Sequence, residues 1–173
     1  MNNKLMEDKV VVVTGAGRGI GRAIALLMAE HGAKVVVNDP GVSVSGESGS
    51  ERPADQVVAE ILAAGGQAVV STDSVAEWSS AQRIVQAALD NFGRIDSVVN
   101  NAGITGFEAG FVPHDPENAS LDAWRKVHET NLDGVFLGCK YAIKAMRTTG
   151  QGSIINISSR SGIVGIPTAA AYA

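Results

Sequence analysis

The chain has 173 residues, 45% of them apolar and 18% charged, which is enough for one domain with a real core and excludes a disordered chain. Fourteen Lys and Arg against eighteen Asp and Glu leave a net charge of −4, which disfavours nucleic acid as a partner. Cys139 is the single cysteine, so no internal disulfide can form, and a reducing, cytoplasmic setting is expected. The polar start Met1–Asp8 lacks the apolar stretch of a secretory signal, and no apolar run approaches the ~18 residues that span a bilayer. His31, His114 and His128 are scattered without metal-ligand spacing, so no metal is expected.

Val10–Val13 is apolar at every position, the pattern of a central parallel strand buried on both faces. A glycine-rich turn follows from Thr14 to Gly21. The helical pattern beyond it places Ile20, Ile24, Leu27 and His31 on one stripe, with Gly32 just past its end. Lys34–Asn38 reads as a second strand. Residues 40–54 carry three glycines and four serines without apolar periodicity and read as a long surface loop. A helix over Asp55–Ala64, closed by Gly65 and Gly66, leads to a strand at Gln67–Ser71. Glu77–Asn91 is helical, with Ile84, Ala88 and Phe92 on one stripe, and Ile95–Val99 is the fourth strand. A second long loop is expected over 103–119. Ser120 is a good N-cap for a helix reaching about Thr148, long enough to predict a bend near Asn131. Ser153–Ile157 is the fifth strand. Strict alternation of strands and helices predicts one α/β domain over 1–173, a doubly wound parallel sheet with right-handed crossovers.

The turn after the first strand reads Thr14-Gly15-Ala16-Gly17-Arg18-Gly19-Ile20-Gly21. It sits between strand and helix, where bare backbone N–H groups and the helix dipole suit a pyrophosphate. The fit to G-x-G-x-x-G fails at Ile20, but Thr14, Gly15, Gly19 and Gly21 satisfy T-G-x-x-x-G-x-G. Asp39 ends the second strand, 18 residues after Gly21, where an acid in a Rossmann-type fold accepts hydrogen bonds from the adenosine ribose. The alternative is a turn-forming acid before Pro40. Asp39 favours NAD over NADP, because a carboxylate repels a 2′-phosphate. Arg18 argues the other way, with a solvated surface charge as its alternative. Asn100-Asn101-Ala102-Gly103 closes the fourth strand; its amides can tie strand ends together, and its small residues permit close approach of a ligand.

These motifs, in this order, resemble the short-chain dehydrogenase/reductase family from the first strand to the last residue. The resemblance implies a dinucleotide site formed by the 14–21 turn, Asp39, Asp73 and Ser74 beside the adenine, and Asn101, Ala102 and Gly103. It also implies a catalytic set. Asn131 would perturb its helix and hold a water in a proton relay. Ser159 would orient and polarise the substrate oxygen, and Tyr172, 13 residues later, would exchange a proton with it. The family's lysine, four residues past this tyrosine, would fall beyond Ala173. The chain is therefore expected to be the amino-terminal part of the fold and, as it stands, inactive.

The activity so implied is hydride transfer between NAD and a secondary alcohol or ketone, of the 3-oxoacyl, hydroxyacyl or hydroxysteroid kind. The competing expectation is a dinucleotide-binding fragment without catalysis. A full-length member would be a homodimer or homotetramer with a small-molecule substrate and no membrane partner. Cys139, Trp78 and Trp124 are expected to serve packing.

Overall fold

Three consecutive valines or more in one strand leave no polar face, and the computed structural model, which describes residues 4–41, 52–106, 115–167 and 169–173, places such strands at its centre. The strands are β1 (Val10–Thr14), β2 (Lys34–Asn38), β3 (Gln67–Ser71), β4 (Ser97–Asn100) and β5 (Ser153–Asn156). The helices are α1 (Gly19–Glu30), α2 (Pro53–Ala63), α3 (Trp78–Phe92), α4 (Leu121–His128) and α5 (Gly134–Met146). All strands are parallel, in the order β3-β2-β1-β4-β5. This is a Rossmann-type α/β fold.

Alternate side chains of each strand face opposite layers. Val10, Val12, Val36 and Val98 pack with Ala81, Ile84, Val85 and Ala88 of α3 and with Leu137, Tyr141 and Ala142 of α5. Val11, Val13, Val35, Val37 and Val99 pack on the other face with Ala25 and Ala29 of α1 and with Val57 and Ile61 of α2. Each of these strand valines is at most 1% exposed, and such burial stabilises by about 1.5–3 kcal/mol per side chain.

The structure revises several expectations. The apolar stripe of α1 meets the core only at its edge: Ile24 packs there half-buried, Ile20 and Leu27 are exposed, and Gly21, Ala25 and Ala29 are buried. Small residues at i, i+4 and i+8 let the helix axis lie close over the valine surface, and larger ones would hold it off. The helix after the first long loop begins at Pro53, whose fixed φ suits the first helical turn, two residues before the expected start. Residues 42–51 and 107–114 of the two expected loops lie outside the described residues. β4 begins at Ser97 rather than Ile95.

The expected long helix is divided into α4 and α5 by a π-helical segment, Glu129–Asp133, centred on Asn131. Cys139 is half-buried rather than in the core. It sits 3.7 Å from Asn100 Nδ2 and 3.8 Å from Asn156 Oδ1, because Gly138 and Cys139 face the polar ends of β4 and β5. Trp78 is exposed, edge-on to Tyr141 with Lys140 over its ring, and Trp124 stacks on His128 at the surface.

At the opposite end of β4 from the cleft described below, Asp96 is 9% exposed and heavily engaged. Its carboxylate accepts from Val10 N–H at 3.0 Å and from both prongs of the Arg94 guanidinium, at 2.9 and 2.6 Å, with Lys9 Nζ 3.7 Å away. Burial pushes this carboxyl up, but the Arg94 fork, the Val10 N–H and the Lys9 charge together hold it below the ordinary carboxylate range. A folded-state pKa below the unfolded one contributes stability at pH values above the unfolded pKa, near ~3.9, and that contribution disappears as pH falls through the folded value. Asp96→Asn is therefore expected to lower the melting temperature at pH 7 and to flatten its decline below about pH 4, as read from melts across an acid series.

Candidate functional site

β1 lies between β2 and β4, so the crossovers leave it in opposite directions and open a crevice past the carboxyl ends of the strands. A cleft of about 790 Å³ occupies this place. Its walls come from the turn and start of α1 (Gly15, Arg18, Gly19, Ile20 and Gly21) and from the end of β2 (Asp39 and Pro40). The segment after β3 adds Ser74, Val75 and Glu77, the segment after β4 adds residues 101–104, and the α4 side adds Lys126 and Thr130.

The turn is shaped by contacts that tolerate little. Gly15 has a φ of +62°, which side-chain-bearing residues rarely adopt, and a Cβ there would stand 2.8 Å from Ala102 Cα. Gly19, with a φ of +53°, would point its Cβ into open space, so the N-terminus of α1 meets the cleft as bare backbone. That is the arrangement an anionic group requires.

Thr14 takes a different part from the one expected of it. Its Oγ1 accepts from the N–H groups of Asn101 and Ala102, both at 3.0 Å, and it does not line the cleft. Asn101 completes the clasp, its Nδ2 donating to the carbonyls of Thr14 at 2.9 Å and Gly15 at 3.1 Å. The expected tie between strand ends is thus present, and it joins β1 to the turn after β4. Thr14→Val keeps the shape and removes the acceptor. It is expected to destabilise by about 1–3 kcal/mol, since two part-buried N–H groups lose their partner, and a denaturant titration reads this directly.

Asp39 is 9% exposed at the cleft wall. Its Oδ2 accepts from Gly17 N–H at 2.9 Å and its Oδ1 from Gly41 N–H at 2.8 Å. Gly17 stands behind Asp39 rather than in the lining. Asp73 also faces away, pairing with Arg83 Nε at 2.7 Å, while its carbonyl accepts from Asn38 Nδ2 at 2.8 Å. Ser74 lines the cleft, and its hydroxyl accepts from Ala76 N–H.

Asn131 bonds both backbone groups of Ile104, its Oδ1 accepting at 2.9 Å and its Nδ2 donating at 2.8 Å. The π segment thereby clamps the chain leaving β4. Ile104 also packs with Val127 and Ala171, which brings the residue preceding Tyr172 to the same clamp. Tyr172 is half-buried, its N–H donating to the Ala169 carbonyl. Ser159 turns onto its own neighbour, with its Oγ 3.2 Å from Ser161 N and 3.1 Å from Ser161 Oγ. Among the described residues no hydrogen bond joins Asn131, Ser159 and Tyr172, and the cleft lining stops at Thr130 on their side. Val75, Glu77, Ile104, Lys126 and Thr130 are lining residues that sequence reasoning did not single out. Their only sequence signal is nearness to Ser74, Gly103 and Asn131. Among the described residues there is no cluster of His, Cys, Asp or Glu fit for a metal ion, and no helix is long and apolar enough to cross a membrane.

A parallel sheet with a bare glycine turn at its switch point and an acid closing the second strand is the architecture of the Rossmann-type class of α/β protein. The chain belongs to the short chain dehydrogenase family, whose family model matches residues 9–173. It is 44% identical over 165 residues to a peroxisomal multifunctional enzyme type 2 of Drosophila melanogaster, covering 95% of this chain and 26% of that protein. It is 42% identical over 164 residues to a 3-oxoacyl-[acyl-carrier-protein] reductase of Synechocystis, covering 95% and 61%. The crystal structure of a short chain dehydrogenase from Mycobacterium avium superposes with a TM-score of 0.84 at 39% identity, over 97% of this chain and 60% of that one. The chain thus spans between about a quarter and three fifths of the length of these relatives.

Proposed function

We propose that the protein is an NAD-dependent oxidoreductase that interconverts a secondary alcohol and a ketone. The observation that carries this reading is the switch-point cleft, with bare glycine backbone at one end and the buried Asp39 carboxylate at another. The residues present fit the dinucleotide. The N-terminus of α1 at Gly19 would take the pyrophosphate, and Asp39 would accept from the adenosine ribose hydroxyls while repelling a 2′-phosphate. Ser74 and Val75 would flank the adenine, and residues 101–104 would carry the nicotinamide half past β4. When bound, the nicotinamide supplies or accepts the hydride.

The chain's own residues then have separable tasks. Ser159 Oγ holds and polarises the substrate oxygen. The Tyr172 phenol gives that oxygen a proton during reduction and takes it back during oxidation. An unassisted phenol titrates near ~10, so a nearby positive charge is needed to make it an effective base at neutral pH. Asn131 has committed its side chain to Ile104, so any water it holds must be bound by backbone. A π segment offers this, because the register shift leaves a carbonyl without its usual helical donor. The substrate reading is a 3-oxoacyl or 3-hydroxyacyl derivative, supported by the similarity to the Synechocystis 3-oxoacyl-[acyl-carrier-protein] reductase. The single half-buried cysteine supports a reducing compartment.

The test is spectrophotometric. Full-length protein is offered NAD with a panel of secondary alcohols and 3-hydroxyacyl thioesters, and NADH formation is followed at its absorbance maximum. Turnover that requires NAD is the expected result. Dinucleotide binding with no turnover on any member of the panel would favour the competing reading of a binding protein without catalysis.

A further inference from the structure

The glycine at position 17 is unexplained by backbone conformation, because it is not among the glycines with positive φ. Space explains it. A Cβ at Gly17 would stand 2.7 Å from Asp39 Oδ2 and 2.7 Å from both Cβ and Cγ of Pro53. The same residue donates its N–H to that carboxylate oxygen at 2.9 Å. Gly41 holds the other oxygen at 2.8 Å, and the buried first residue of α2, Pro53, closes the far side.

From this packing we propose that Gly17 is a positioning residue for cofactor choice: it fixes the Asp39 carboxylate in the cleft wall and so sets the preference for NAD over NADP. The inference rests on the dinucleotide reading above. A methyl group at position 17 meets a rigid proline ring on one side and the twice-bonded Asp39 carboxylate on the other. The carboxylate is the group able to move. Once displaced, it presents its oxygens poorly to the ribose hydroxyls and no longer bars a 2′-phosphate. Gly17 does this without lining the cleft, so its effect is routed through Asp39.

Coupling between the two residues gives the test. NADH and NADPH affinities are measured by fluorescence titration for wild type, Gly17→Ala, Asp39→Ala and the double variant, all in the full-length protein. Wild type is expected to bind NADH more tightly. Gly17→Ala is expected to cut the NADH-to-NADPH preference about tenfold, the scale of one hydrogen bond to a charged group. Asp39→Ala should do at least as much, and adding Gly17→Ala to it should change the preference no further.

Equal weakening of both dinucleotides by Gly17→Ala, or additive effects in the double variant, would overturn the inference while leaving the dinucleotide reading intact. A wild type that binds neither dinucleotide overturns both. Should Gly17→Ala fail to fold, the Gly17 amide proton in wild type supplies the second measurement. It is expected to lie downfield, hydrogen-bonded to an anion, and to move upfield in Asp39→Asn. An unmoved resonance contradicts the proposal.

Discussion

Gly21→Ala is expected to abolish measurable dinucleotide binding and to lower stability by about 1–3 kcal/mol, the usual cost of overpacking. An added Cβ would press onto the Gly15 carbonyl and come within 2.5 Å of Asn101 Nδ2. Neither obstacle can yield cheaply. The carbonyl is backbone in a turn whose φ already excludes most residues. The amide is held by the carbonyls of Thr14 and Gly15. Relief therefore comes from sliding α1 away from β1, which moves the helix N-terminus out of the cleft and opens the Ala25 and Ala29 contacts on the sheet. A thermal melt and an NADH titration on the same sample separate the two effects. Wild-type NADH affinity in a folded Gly21→Ala protein would show that the close approach of α1 to the turn is not what forms the site.

The second large effect concerns proton transfer. Tyr172→Phe in the full-length protein removes the proposed donor and leaves the ring. Positioned acid–base groups contribute about 10²–10⁴-fold, so kcat is expected to fall by that factor while NADH affinity stays at its wild-type value. The separation follows from the geometry, because among the described residues Tyr172 stands outside the lining of the cleft and its segment packs on the site through Ala171 on Ile104. A kcat within a few-fold of wild type would remove Tyr172 from the proton path.

Much of the fold was legible in the chain because valine runs have few other uses. Val10–Val13 and Val35–Val37 can be buried on both faces only in the middle of a parallel sheet, and they are. The face of α1 was misread for a definite reason. An apolar stripe is a good guide when a helix packs on other helices at ordinary distance, but this helix approaches the sheet through Gly21, Ala25 and Ala29, and hydrophobicity does not register small size. The break at Asn131 was foreseen from helix length. The bonds of the Asn131 amide to both backbone groups of Ile104 were not, since the two residues are 27 apart in sequence.

The candidate site divides in the same way. Gly15, Gly19 and Asp39 announce themselves by residue type at fixed places beside strands. Thr14 was assigned to the ligand because it belongs to the motif. Its hydroxyl instead serves Asn101 and Ala102, a contact that becomes visible only when β4 is known to lie beside β1. Asp73 was likewise drawn away from the cleft by Arg83, ten residues on along α3. Lys126 and Thr130 line the cleft from α4 and the π segment, a nearness in space to the turn after β1 that no local pattern encodes.

The claim on which the rest depends is that the switch-point cleft binds NAD and that Asp39 makes it prefer NAD to NADP. Equilibrium titration of the wild-type protein with NADH and with NADPH, followed by cofactor fluorescence, tests it most directly. The expected result is saturable binding of both forms or of NADH alone, with NADH at least about tenfold tighter. Tighter binding of NADPH, or saturable binding of neither, would contradict it.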